Sequence, residues 1–241
     1  MFHAYKNGNY SVIIFDDGTK IRRTKEDEFI PSFAENCDVK ITDKCSQGCS
    51  FCYEGCSVSG KHANLFDYAF LNTLHPYTEM ALNGNDLDHP KLRDFLEFLK
   101  TKKVFANLTV NQNQFMKNID KLRDWTDSKL IYGLGVSLVN PGENFLKEVK
   151  RFPNAVIHTI AGILTSEDIL RLQKKDLKVL ILGYKDLSRG SEFLKRNRDE
   201  IQSRLNYLRK ILPCAISDGW FKVISFDNLD KYCQKPYIEY I

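Results

Sequence analysis

Across 241 residues the chain is 43% apolar and 27% charged, the balance of a folded globular protein, and its length allows one large domain or two small ones. A net charge of +4 is too mild to argue for a nucleic-acid or anionic partner. No apolar run approaches the ~20 residues that cross a bilayer, and "MFHAYKNGNY" lacks the basic-then-apolar order of a secretory signal, so a cytoplasmic protein is expected.

The first element is a β-hairpin in "YSVIIFDDGTKIRRT", where an apolar run, an Asp-Asp-Gly-Thr turn and a basic partner strand follow one another. "FIPSFAEN" then serves as a linker, which makes 1–36 a hairpin with its linker and 37–241 the main body, packed as one globular unit. From Cys37 onward short β-rich runs alternate with amphipathic stretches. The strand candidates are "DVKIT" (38–42), "TEMALNG" (78–84), "VFANLTV" (104–110), "IYGLGVSLV" (131–139), "AVIHTIAGI" (155–163), "LKVLILGY" (177–184) and "FKVISF" (221–226). Several are apolar almost throughout, as in parallel strands buried on both faces.

Helical spacing appears between them. Leu92, Phe95, Leu96 and Leu99 mark one helix, and Phe115, Met116, Ile119 and Leu122 mark a second. Phe145, Leu146, Val149 and Phe152 mark a third; Ile169, Leu170 and Leu172 a fourth, started by "TSED". Residues 191–212 form the longest helical stretch, charged along one side and closed by Pro213. Six strand–helix units in series predict an α/β fold with a parallel sheet and right-handed crossovers, either open or curled into a barrel.

"CSQGCSFCYEGC" (45–56) concentrates four of the seven cysteines. An odd total argues against a disulfide framework, and clustered thiols in a reducing compartment point to metal or redox chemistry. The spacing Cys45-x3-Cys49-x2-Cys52 follows the first strand of the series, where α/β proteins place their ligands. Gly48 allows a tight turn that lets three sulfurs converge. Three thiolates suit a cubane cluster held by three irons with the fourth iron open. Two alternatives remain: Cys56 completes a tetrahedral zinc set, or Cys49 and Cys52 form a redox Cys-x-x-Cys pair that leaves Cys45 idle.

With Phe51 in place the loop reads Cys-x3-Cys-x-aromatic-Cys, and it resembles that of the radical S-adenosylmethionine (radical SAM) enzymes. "KITDKCSQGCSFCYEGCSVSGKHA", "EMALNGNDLDHP", "NLTVNQ" and "LGYKDLSRG" look most like a branch of that superfamily that includes phage-encoded members. The resemblance implies a partial (β/α)6 barrel preceded by the N-terminal β-hairpin. It also implies a [4Fe–4S] cluster on Cys45, Cys49 and Cys52, with S-adenosylmethionine chelated at the open iron. Reductive cleavage of S-adenosylmethionine to a 5′-deoxyadenosyl radical, which abstracts hydrogen from the substrate, is the implied chemistry. An electron donor such as a flavodoxin or ferredoxin is the implied partner. A small-molecule or nucleobase-like substrate is favoured over a peptide, because the cysteine-rich C-terminal extension of many peptide maturases is missing.

Carried over by position, Phe51 lies where the family's loop approaches the adenine. Asn83, Gly84 and Asn85 stand where a Gly-Gly-Glu-like turn receives the methionine amino group; here one glycine is kept and the Glu is replaced. Thr109, Asn111, Ser137, Asn140 and Gly162 fall where ribose and carboxylate contacts lie, and Leu182, Gly183 and Tyr184 where the sixth strand passes the adenine. Asn and Ser at strand ends also serve as helix caps. His158 on its strand, His62 and His89 in loops, and the scattered Cys37, Cys214 and Cys233 read as structural residues. Cys56 is expected to be structural. In "FLKRNRDEIQSRLNYLRK" acidic and basic residues alternate as on a solvated helix face, which disfavours nucleic acid. The reading from a different class is a non-catalytic zinc or iron–sulfur module built on the same cysteines.

Overall fold

A computed structural model describes residues 2–83, 87–172 and 175–211, with the backbone of 222–224. Gly84, Asn85, Pro213, Cys214, Cys233 and, of "FKVISF", positions 221, 225 and 226 lie outside the described residues.

Three antiparallel strands open the chain, not two: β1 (Phe2–Asn7), β2 (Tyr10–Phe15) and β3 (Lys20–Arg23), in that order across the sheet. The extra strand is explained by Gly8-Asn9, a two-residue hairpin loop in which Gly8 holds a φ of 59°. Six parallel strands follow: β4 (Asn36–Lys40), β5 (Glu79–Asn83), β6 (Phe105–Asn111), β7 (Gly133–Ser137), β8 (Ala155–Ile160) and β9 (Val179–Leu182). Their spatial order is their chain order, and β10 (Lys222–Ile224) pairs antiparallel with β9. The order never reverses, so right-handed crossovers place the connecting helices on one side of the sheet.

Those helices are α1 (Leu92–Thr101), α2 (Gln112–Lys117), α3 (Ile119–Asp127), α4 (Glu143–Val149), α5 (Ser166–Leu172), α6 (Arg189–Arg196) and α7 (Arg198–Ile211). Two expected helices are each broken at an asparagine: Asn118 (φ −128°) separates α2 from α3, and Asn197 (φ −124°) separates α6 from α7. Apolar spacing continues across both breaks, so periodicity alone hides them. At the start of α5, Thr165 and Asp168 exchange backbone-to-side-chain bonds of 3.0 and 3.1 Å, a reciprocal cap that confirms the "TSED" start signal. Leu170 on that helix is 62% exposed and takes no part in the core.

The parallel strands alternate, which corrects the expectation of burial on both faces. Met80, Leu82, Ala106, Leu108, Val110, Leu134, Val136, Ile157, Val179 and Ile181 form the buried face. Against it pack Leu92, Phe95, Leu96, Leu99, Phe115, Leu122 and Ile169 from the helices. The register puts Asp38, Ala81, Asn107 and Gly133 in one row, Lys40, Asn83, Thr109 and Gly135 in the next, and Asn111, Ser137 and His158 in the one above. This second face is polar and partly open. The N-terminal sheet closes its lower end: Tyr10, Val12 and Ile14 pack on Phe105 and Tyr132, while Tyr132 Oη donates to the Phe15 carbonyl. Glu35 is buried there, accepting from Tyr10 Oη and paired with Lys20 at 3.4 Å and Arg22 at 3.0 Å.

Candidate functional site

The cysteine loop leaves the C-terminal end of β4, at the open end of the polar face. A short stem holds it: Cys45 N–H donates to Ser57 O at 2.8 Å, Ser57 N–H to Asp43 O at 3.0 Å, and Asp43 N–H to Lys61 O at 2.9 Å. Gly48 takes a φ of 62° inside the loop, a conformation that suits glycine. Cys52 N–H donates to Cys49 O at 3.2 Å and closes the turn between the second and third cysteines. Lys40 ties the loop back to β4 through the Glu54 carboxylate at 3.0 Å, and Asn113 Nδ2 reaches Gln47 Oε1 at 3.0 Å from the start of α2.

The five described cysteines are thiols, with Cys45, Cys49 and Cys52 partly exposed. Cys56 is different. It is 8% exposed, and its Sγ turns down the stem to within 3.9 Å of Thr42 O. Burial pushes the Cys49 thiol up, and the neighbouring Cys45 and Cys52 push it further. Burial, then Cys52 and Cys45, push the Cys56 thiol up as well, so the sulfurs of the loop repel one another as thiolates, which is the electrostatics that a bound cation relieves. Among the described residues no three Cys, His, Asp or Glu side chains meet at metal-ligating distances. The donor chemistry and exposure of Cys45, Cys49 and Cys52 fit an iron–sulfur group.

The other expected residues divide. Asn83 ends β5, in register between Lys40 and Thr109, and its carbonyl accepts from Ile41 N–H at 2.9 Å. Thr109 and Ser137 stand on the polar face, and Leu182, Gly183 and Tyr184 lie at and beyond the end of β9. The Tyr184 hydroxyl donates to Gly190 O at 2.7 Å. Phe51 sits in the loop with its ring edge-on to Phe193 at 5.9 Å.

Asn111 is a helix cap: it is buried and its Oδ1 accepts from Asn113 N–H at 2.8 Å. Asn140 is held through its backbone, which bonds both ends of the Gln112 amide at 2.7 and 2.9 Å, and the residue preceding α4 is Gly142. Gly162 is not on its strand. It follows β8 with a φ of 87°, and a Cβ there would come within 2.7 Å of Ile201 on α7, so it serves helix packing.

His158 gains in interest. Its ring lies over Gly135, where a Cβ would meet His158 Cε1 at 2.5 Å and Thr109 Oγ1 at 2.8 Å. Burial alone drives its pKa down to about 4, so the imidazole is neutral at physiological pH. His62 and His89 stack edge-on at 4.6 Å beside the stem; His89 is engaged through both ring nitrogens, with Ala63 O at 3.0 Å and Lys91 N–H at 3.1 Å. Two residues of the quoted "LGYKDLSRG" were given no role from the sequence: Lys185, whose Nζ lies 4.2 Å from the Tyr53 ring centroid, and Arg189, whose Nε donates to Cys49 O at 3.2 Å. No local signal announces either, because the partners are far apart in the chain.

A separate cleft of about 610 Å³ between α1 and α3, lined by Arg93, Lys121, Asp124 and Trp125 among others, contains none of the expected site residues. Among the described residues no helix is long and apolar enough to cross a membrane. Comparison of the chain with protein-family models gives no match, and comparison with curated proteins gives none either.

Proposed function

We propose that this chain is a radical SAM enzyme whose parallel strands curl into a partial (β/α)6 barrel, with Cys45, Cys49 and Cys52 holding a [4Fe–4S] cluster. The observation that carries this reading is the division among the cysteines. Cys56, the fourth cysteine of the loop, is buried with its Sγ 3.9 Å from Thr42 O although its thiol still feels Cys45 and Cys52, while the other three stay partly exposed. Three thiolates leave one iron open, whereas a structural zinc wants four closed ligands.

The curled sheet is supported by where the loop reaches. The first and last of six strands, five spacings apart, would stand about 24 Å from each other in a flat sheet. Yet adjacent loop residues touch both sides: Glu54 pairs with Lys40 of β4 at 3.0 Å, and Tyr53 meets Lys185 just past β9 at 4.2 Å. When bound, the cluster would supply an electron to the sulfonium of S-adenosylmethionine and so release a carbon radical. The chain's own contribution is a polar floor of Asn83, Asn107, Thr109, Ser137 and His158. That floor offers hydrogen bonds to a polar adenosyl ligand, and the N-terminal sheet shuts water out from below.

The test is anaerobic reconstitution with iron and sulfide, followed by dithionite and S-adenosylmethionine. The expected result is a cubane's complement of iron, lost in C45A, C49A and C52A and kept in C56A, with release of 5′-deoxyadenosine. Stoichiometric, tightly held zinc with no cleavage product would establish the non-catalytic module instead.

A further inference from the structure

The segment after β9 closes over the cysteine loop at several points. Lys185 lies over Tyr53, Phe193 meets Phe51 edge-on, and Ser188 approaches Gly55 so closely that a Cβ there would come within 2.7 Å of its Oγ. Arg189 Nε donates to Cys49 O at 3.2 Å. That same oxygen accepts from Cys52 N–H at 3.2 Å, so one carbonyl both closes the turn between two thiols and receives a guanidinium. Ser188, immediately before, holds a φ of 51° and a ψ of −129°. Side chains rarely adopt such a backbone, and it persists where the surroundings over-determine it. The bend turns the start of α6 toward the loop. Tyr184 braces it by donating to Gly190 O.

We propose that Arg189 is a positioning residue for the cysteine loop: it pins the Cys49 carbonyl and sets a fixed positive charge beside an anionic iron–sulfur centre, favouring that centre's reduced state. The inference rests on the cluster reading above. A guanidinium is charged at every working pH, and hydrogen bonds and charge near a cluster tune its potential. Reduction adds one electron and one negative charge to the centre, with no bond made or broken, so a nearby cation stabilises the product of that step more than its reactant. The pin acts on the backbone and exists in the metal-free chain as well.

Two variants separate the charge from the pin. R189Q removes the charge; R189K keeps it but lacks the planar fork that aims a donor at the carbonyl. Reconstituted protein is titrated with dithionite under electron paramagnetic resonance, and metal-free protein is followed by hydrogen exchange at the Cys52 amide. In R189Q the reduced-to-oxidised ratio at a given potential should fall about tenfold, equivalent to ~59 mV for one electron, and Cys52 exchange should quicken several-fold. R189K should recover most of the potential but not the protection. A cluster that loads in R189Q with wild-type potential and wild-type Cys52 protection overturns the proposal. If wild-type protein takes up no cluster, the functional reading and the charge role fall together, and Cys52 exchange in metal-free R189Q alone then decides whether the pin exists.

Discussion

Replacing Gly135 with alanine probes the polar face most directly. The added methyl would sit 2.5 Å from His158 Cε1 and 2.8 Å from Thr109 Oγ1, well inside contact distance. Gly135 has an extended backbone that alanine also accepts, so the unfolded-state entropy effect by itself would stabilise G135A by about 0.4–1 kcal/mol. Overpacking a filled site costs about 1–3 kcal/mol, and the difference leaves a net destabilisation of roughly 0–2.6 kcal/mol, about 1.3 kcal/mol at the midpoints. Removing the ring should relieve most of this, because Thr109 can rotate its hydroxyl away. Urea unfolding of wild type, G135A, H158A and the double variant forms a cycle, with an expected coupling of about 1–2 kcal/mol between the two positions. Equal cost of G135A in both backgrounds would refute the placement of His158 over Gly135, and with it the polar floor as described. In reconstituted protein, G135A should also weaken S-adenosylmethionine binding about tenfold or more, since the methyl displaces whatever hydrogen-bonds across that floor.

The imidazole of His158 gives a pH signature. Its folded pKa of about 4 lies below the ordinary 6.5, so the unfolded chain binds the extra proton first. Stability is therefore full above pH 6.5 and falls as pH drops through 4, by about 3–4 kcal/mol in all; H158Q should flatten that slope in pH-dependent urea unfolding. Glu35 behaves in the ordinary acidic sense. Burial alone would raise its pKa, but the bonds from Arg22 and Tyr10 and the nearby Lys20 outweigh it and hold the carboxyl low. Its contribution is present above the usual carboxylate range and is lost as pH falls through the lowered folded value, and E35Q should remove this acid limb. E35A should cost about 3 kcal/mol, the lower end for breaking a buried pair, because Lys20 keeps a bridge to Glu79. L170S on the exposed side of α5 should change stability by less than about 0.5 kcal/mol, read from the same denaturation curves.

Much of the architecture was legible because parallel strands and amphipathic helices repeat their patterns locally. Six strands appeared at the expected places, shorter by a residue or more at most ends. What escaped was which face each strand gives away. "NLTVN" alternates polar and apolar side chains and "GLGVS" alternates less visibly, yet Asn107, Thr109, Gly133 and Gly135 all fall on the same side once the register is known. Glycine contributes to an apolar count without contributing any apolar surface. The helix breaks at Asn118 and Asn197 escaped for the complementary reason: the apolar spacing stays in phase through a single non-helical residue. In the site, the cysteine spacing was readable from twelve consecutive residues, and the burial of Cys56 was not, since it depends on Thr42 and the stem. Arg189 meets Cys49 across 140 positions, a separation that no local pattern bridges.

The seat of the N-terminal sheet imposes an order on assembly. Phe15, Asp16 and Asp17 supply carbonyls to Tyr132, Asn154 and Lys178, at separations of 117, 138 and 161 positions. Its three strands pair at short range and can form as soon as they leave the ribosome, but the surface they dock on is finished only when Lys178 has been made. At about 5–20 residues per second, that leaves an interval on the order of ten seconds or more before the seat under Tyr10, Val12 and Ile14 is complete. Long-range closure of this kind slows folding, and it leaves the first two dozen residues to dock only after Lys178 has been made.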